Sequence, residues 1–97
     1  MIESNARYSW DPTKREEILN TRLLDMVLLA DFIFADPNIV IVPDLRKNYG
    51  EDRYKAFAMI EEERFCLCFT LRADKIHLIT IFRQHDNPEW RKNYGNI

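Results

Sequence analysis

His77 and Arg83 lie on one β-rich stretch near the end of the chain, with Arg53, Lys14 and a second histidine, His85, elsewhere. An imidazole titrating near neutral pH serves as acid or base, and guanidinium groups grip phosphate at two points. These residue types suit cleavage of a phosphodiester without a metal. That reaction needs a group to take a 2′-OH proton, a group to protonate the leaving 5′-oxygen, and cations to meet the charge building on phosphorus. Alternation over Lys75 to Arg83 predicts His77, Ile79, Ile81 and Arg83 on one face and Ile76, Leu78, Thr80 and Phe82 on the other. His77 and Arg83 then share a face but stand roughly 20 Å apart at a rise of ~3.3 Å per residue, a separation that only a long substrate bridges. Each candidate also has a plain alternative. His77 can be a surface strand histidine, Arg53 the ion-pair partner of Asp52, Glu51 or the Glu61 to Glu63 turn, and Lys14 a solvent-facing residue of a first helical turn. His85, in a turn, is the weaker of the two histidines.

Other chemistries find no support. No carboxylate pair or His/Cys cluster has metal-ligand spacing, no nucleophile sits beside a base, and Gly50 and Gly95, the two glycines, make no phosphate-binding loop. No metal or cofactor is expected. Cys66 and Cys68 fall one residue apart in an apolar run, so on a strand their Cα atoms lie roughly 6.5 Å apart, near the upper limit for a disulfide; they read as reduced core thiols. Aromatic rings offer stacking surfaces for unpaired bases. Phe32, Phe34, Phe57, Phe65 and Phe69 sit in apolar patterns and read as core, whereas Trp10, Phe82, Trp90 and Tyr94 stay open to either use.

The elements that must position these groups are well punctuated. Tyr8 and Trp10 belong to a short strand over Arg7 to Trp10, and Asp11-Pro12 then caps and starts a helix. Ile18, Leu19, Leu23, Leu24, Val27, Leu28, Phe32 and Ile33 recur at helical spacing until Asp36-Pro37 stops them, as one long helix or as two kinked near Asn20 to Arg22. Beyond Pro37 the chain turns β-branched. Ile39 to Val42 reads as a strand, Asp44 to Asp52 as a loop, and Arg53 to Ile60, Arg64 to Leu71 and Lys75 to Arg83 as a meander with short turns, hence antiparallel neighbours. Asn87-Pro88 opens a last helix, with Trp90 and Tyr94 four apart on one face. The order is β-α-α-β-β-β-β-α, an α+β domain over residues 1–97. Arg46-Lys47-Asn48-Tyr49-Gly50 recurs as Arg91-Lys92-Asn93-Tyr94-Gly95, once in a loop and once ending a helix; coincidence and a pair of phosphate-contacting patches both fit.

Ninety-seven residues, 46% hydrophobic and 31% charged, fit one folded core and exclude a disordered chain. The net charge of −2 excludes nucleic-acid binding through overall charge, so any anion-binding surface is local. It is weighted to the C-terminal part, where Arg72, Lys75, Arg83, Arg91 and Lys92 face only Asp74, Asp86 and Glu89. The polar opening from Met1 to Trp10 carries no secretory pattern, and no apolar run approaches the ~20 residues that span a bilayer, so the cytoplasm is the expected compartment and no membrane partner is expected.

Trp10-Asp11-Pro12-Thr13-Lys14 and Phe34-Ala35-Asp36-Pro37, at their separation here, are similar to the two signatures of the BrnT family of toxins. Asp44, the Asp52-Arg53 pair, the strand Phe65 to Leu71, Arg83 and the late Tyr94 extend that resemblance over about residues 7 to 94. It implies a RelE-like α+β fold, with an N-terminal strand and two helices packed on a four-stranded antiparallel sheet and a C-terminal helix. It implies the toxin of a type II toxin-antitoxin system, a metal-independent endoribonuclease that cleaves RNA, mRNA among its targets, and inhibits translation and growth. The partner it implies is a BrnA-like antitoxin, in a heterotetramer. Carried onto this chain, the catalytic set is His77, Arg53, Arg83 and Lys14, and the substrate contacts are Arg22, Thr80, Arg91 and Tyr94. Two segments depart from the family pattern: Thr21-Arg22-Leu23 replaces a Lys-His-Gly turn, and His77 to Phe82 replaces an Arg-Ile-Ile-Ser-Ala-Arg strand. The changed basic positions admit a second reading, a catalytically inactive RelE-like module that binds protein or RNA.

Overall fold

The computed structural model describes residues 1–86 and 88–94. Its elements are β1 (Glu3–Ser4), β2 (Tyr8–Trp10), α1 (Pro12–Arg22), α2 (Met26–Ala35), β3 (Val40–Pro43), β4 (Arg53–Ile60), β5 (Glu63–Arg72), β6 (Lys75–Arg83) and α3 (Pro88–Asn93). Asn87, read as the cap of the last helix, and Gly95, which closes the second Arg-Lys-Asn-Tyr-Gly copy, lie outside the described residues.

The first and last helices begin where the sequence places them, at Pro12 and Pro88. Asp11 caps α1 by accepting from the Thr13 N–H at 2.9 Å, with Pro12 in the first turn, so a donor left over by the helix is satisfied. The apolar run after it is two helices, not one. α1 ends at Leu23, whose left-handed φ of 57° lets its N–H reach the Leu19 carbonyl, and Asp25 caps α2 through the Val27 and Leu28 N–H groups. Arg15 grips the same Asp25 carboxylate at 2.8 and 3.0 Å, tying the start of α2 to α1. α2 stops at Asp36, before Pro37.

The sheet corrects the sequence expectation. It has six strands, not four, in the order β1-β2-β6-β5-β4-β3, and it is mixed. β3 to β6 form the anticipated antiparallel meander, but Tyr8–Trp10 adds to β6 in parallel, and Glu3–Ser4 then pairs with β2 at the edge. Two exposed polar residues give no periodic signal for a strand, and a parallel neighbour distant in sequence leaves no turn to read. β4 and β5 turn at Glu61 and Glu62, both with positive φ, 47° and 70°, the backbone that two-residue hairpins favour and that Asn-Gly adopts more readily.

A further correction concerns β6. Cys68 pairs with Thr80 but Phe69 pairs with Leu78, so Ile79 is an extra residue in β6, a β-bulge that resets the alternation beyond it. Ile76, Leu78 and Ile81 therefore share one core, while Ile79 and Phe82 belong to the other. Arg83 pairs with Phe65 and His77 with Thr70. Those partners lie an odd number of residues apart on β5, so His77 and Arg83 are on opposite faces of the sheet, contrary to the strict alternation.

One face buries Leu67, Phe69, Leu78 and Ile81 against Ile18, Met26, Ala30 and Ile33 of the two helices. The other buries Phe57, Cys66 and Cys68 beneath Trp90 of α3, with the Trp90 ring 6.0 Å from Phe57 and 4.6 Å from Tyr94. The cysteines are free and buried, as read from their spacing. Phe32, read as core, is 61% exposed and Leu28 is 67% exposed, because α2 is apolar nearly all round and only one side of it meets the sheet. No helix among the described residues is long and apolar enough to cross a membrane.

Candidate active site

α3 covers only part of its face of the sheet. Beyond it, at the end where β2 joins, successive strand pairings set four polar residues side by side: Ser9 opposite His77, His77 opposite Thr70, and Thr70 opposite Arg53. Neighbouring strands lie ~4.8 Å apart, so the row from Ser9 to Arg53 spans about 14 Å, the scale of a dinucleotide. The arrangement follows from local sequence. Tyr8 and Trp10 turn into the helix-side core, which leaves Ser9 between them on the opposite face. On β6, before the bulge, His77 lies between Ile76 and Leu78 of that core in the same way.

His77 is 6% exposed, and its Nδ1 lies 2.8 Å from Ser9 Oγ. Burial lowers its pKa below the ordinary 6.5, and the positive charge of Arg72 adds to that effect, against the opposing pull of Glu51 and Asp11. The ring is therefore neutral at pH 7. In the tautomer whose Nδ1–H donates to Ser9 Oγ, the Nε2 lone pair is available to take a proton.

His77 lines a cleft of about 190 Å³ together with Asp11, Lys14, Arg53 and Arg72. Lys14 comes from the first turn of α1, held there by the Asp11 cap. Arg53 and Arg72 are bridged by Glu51, which lies 3.2 Å from a guanidinium nitrogen of each. Arg72 first, and Arg53 with it, holds the Glu51 carboxyl below its usual range. A carboxylate thus sits between two guanidiniums, where an incoming phosphate competes for the same donors. Arg53 also lies over the Tyr49 ring, with its Cζ 4.1 Å from the centroid.

The residues marked in the sequence fall into three groups. Lys14, Arg53 and His77 come together in this cleft. Arg22, Thr80 and Arg83 meet elsewhere, where β6 runs on past the end of β2: Arg22 donates to Thr80 Oγ1 at 2.8 Å and to the Ile81 carbonyl, and Arg83 donates to the Arg22 carbonyl. Arg91 and Tyr94 belong to the α3 region. Arg91 pairs with Asp86, and the Tyr94 hydroxyl donates to Asp36 at 2.8 Å, with its pKa pushed up to about 12 by burial and then by that carboxylate. His85 lines a third cleft beside Glu63 and Arg83. Sequence reasoning missed Ser9, Thr70 and Arg72, whose link to His77 and Arg53 is strand register. Only Ser9 carried a signal, as the polar residue between two aromatics on a short strand.

Asp36 and Asp44, also in the sequence signatures, hold structure. Asp36 accepts from the Met59 and Asn38 N–H groups and from Tyr94. Burial opposes its charge, and those bonds outweigh burial to keep the carboxyl below its usual range. Asp44 accepts from the Arg46 backbone and side chain and from Tyr49, and Arg46 above all lowers its pKa to about 2. Asp44 thereby shapes the loop that delivers Glu51 and Arg53 to the cleft.

Residues 10–88 match a family model described as the ribonuclease toxin, BrnT, of type II toxin-antitoxin systems. No curated protein matches the chain.

Proposed function

Because the chain belongs to the BrnT family of ribonuclease toxins of type II toxin-antitoxin systems, we propose that its chemistry is metal-independent endoribonucleolytic cleavage carried out at the His77 cleft. The observation that carries this reading is a neutral, nearly buried imidazole beside Lys14, Arg53 and Arg72. His77 Nε2 takes the proton of a ribose 2′-OH, and the 2′-oxygen attacks the adjacent phosphorus. Arg53 and Arg72 meet the charge on the phosphoryl oxygens, and the bond to the 5′-oxygen breaks as that oxygen takes a proton from the Lys14 ammonium. The products are a 2′,3′-cyclic phosphate and a 5′-hydroxyl. His77 carries the proton gained and Lys14 has lost one, and solvent resets both. Ser9 is a positioning residue that holds the ring through Nδ1.

In the cell this activity cuts RNA in the cytoplasm, mRNA included, inhibits translation and arrests growth, with a BrnA-like antitoxin in a heterotetramer as the neutralising partner. Leu28 and Phe32, both exposed and four residues apart on one face of α2, support a protein partner, since apolar side chains clustered on a surface mark association sites. A second reading, a binding module without catalysis, draws on Glu51, which already occupies the two guanidiniums. Expression in a bacterial host separates the two. Growth arrest with RNA fragments ending in 2′,3′-cyclic phosphate, abolished by His77→Gln, supports the nuclease. Absence of both at verified soluble levels supports the binding module.

A further inference from the structure

Arg53 lines two clefts. Besides the one holding His77, it forms a wall of a larger cleft, about 340 Å³, enclosed by the loop that runs from Asp44 to Asp52. That volume is in the range of small-ligand sites. The neck of the loop is closed by the Asp44 N–H donating to the Arg53 carbonyl at 2.8 Å, and the loop interior is held by the Asp44–Arg46 pair, so the cleft is a shaped feature of the loop. One wall is the Tyr49 ring, with the Arg53 guanidinium 4.1 Å from its centroid and Lys47 Nζ over it at 5.1 Å, an aromatic and cationic edge against which a base can lie. At its rim is Asp52, whose backbone carbonyl accepts from Thr70 Oγ1 at 2.6 Å, which fixes the backbone there. The Asp52 carboxylate carries no hydrogen bond or ion pair within the protein among the described residues.

We propose that this loop cleft is a nucleobase subsite for the nucleotide next to the scissile phosphate, and that Asp52 makes it select guanine. The inference rests on the ribonuclease reading of the His77 cleft. An ionised carboxylate accepts and cannot donate. Among the four bases, only guanine presents two adjacent donors, N1–H and the 2-amino group, to both oxygens of a carboxylate. Adenine and cytosine set a ring acceptor beside their amino group, and uracil flanks its one N–H with carbonyls. Each of those three brings a lone pair against the carboxylate. A base held in this cleft stands beside Arg53, which also lines the cleft of His77, so its phosphate is within reach of the His77 side.

Binding of 3′-GMP, 3′-AMP, 3′-CMP and 3′-UMP to the full chain, followed by NMR titration, tests the subsite independently of turnover. 3′-GMP is expected to bind about tenfold tighter than the others, a preference lost in Asp52→Asn, with Tyr49 amide shifts marking the site. Equal binding of the four mononucleotides, or a guanine preference that survives Asp52→Asn, overturns the proposal. Cleavage mapping on a random-sequence RNA separates the two levels. Cuts concentrated beside guanine, with the preference flattened by Asp52→Asn, support both. Cleavage blind to base identity overturns the subsite alone, and selective 3′-GMP binding without any cleavage overturns the ribonuclease reading while supporting the subsite.

Discussion

His77 owes its proposed role to two opposing pressures. Desolvation and Arg72 keep it neutral, while Glu51 and Asp11 limit the fall in its pKa. A base must be unprotonated to act, so cleavage is expected to rise with pH along an acid limb whose midpoint lies below 6.5, and to be level from there through neutrality. A pH profile of kcat/KM measures this. Replacing Arg72 by Gln removes one of the charges that lower the pKa and is expected to move the limb upward. At this scale the sequence was informative about identity and silent about company. His77, Arg53 and Lys14 were chosen by residue type and resemblance, and the fold unites them. Arg83 was placed on the His77 face because nothing in Lys75 to Arg83 marks the bulge at Ile79, which depends on pairing with β5. Tyr94, open between packing and phosphate, spends its hydroxyl on Asp36.

Among the elements, those whose signals are local were legible. Asp11-Pro12 and Asp36-Pro37 bound the helical region as read, because caps and prolines act within a few residues. The parallel seat of β2 beside β6 was not, since it joins segments about 68 residues apart through contacts that no local propensity encodes. The Asp36 carboxylate shows how a signature residue can serve packing: it joins the end of α2 to β4 and to Tyr94. Asp36→Ala strands the Met59 N–H and is expected to cost about 2–3 kcal/mol in chemical denaturation. Its folded pKa is depressed, so the carboxylate's contribution is complete above its unfolded pKa of ~3.9 and is lost as pH falls below that. The wild type should therefore lose part of its margin over the variant in acid. The β4–β5 turn holds two glutamates in left-handed backbone, which costs a non-glycine residue about 1 kcal/mol each. Exchanging Glu61-Glu62 for Asn-Gly is expected to stabilise by about 1 kcal/mol and raise Tm by several degrees, with cleavage untouched because the turn lies at the opposite end of β5 from Thr70.

For the whole molecule, the net charge of −2 leaves the proposed RNA binding to a local patch. Lys14, Arg53 and Arg72 are the cations of the cleft, and single-stranded contacts contribute a slope of about −0.7 per phosphate neutralised. Because these three cations meet the one scissile phosphate, a plot of log K against log salt is expected to fall with a slope of about −0.7, and a much steeper slope would mean a wider basic surface than the cleft provides. The domain's two faces divide the work. The helix side builds the larger core and exposes Leu28 and Phe32, while the opposite side is closed by α3 at one end and open around His77 at the other. The claim on which the rest depends is that this open end cleaves RNA by proton transfer through His77. Incubation of the purified chain with an RNA oligonucleotide in EDTA, with products identified by mass spectrometry, tests it most directly. Fragments ending in 2′,3′-cyclic phosphate are expected from the wild type, at a rate at least about 100-fold above that of His77→Gln. An equal rate in folded His77→Gln, or cleavage that vanishes in EDTA, would contradict the account.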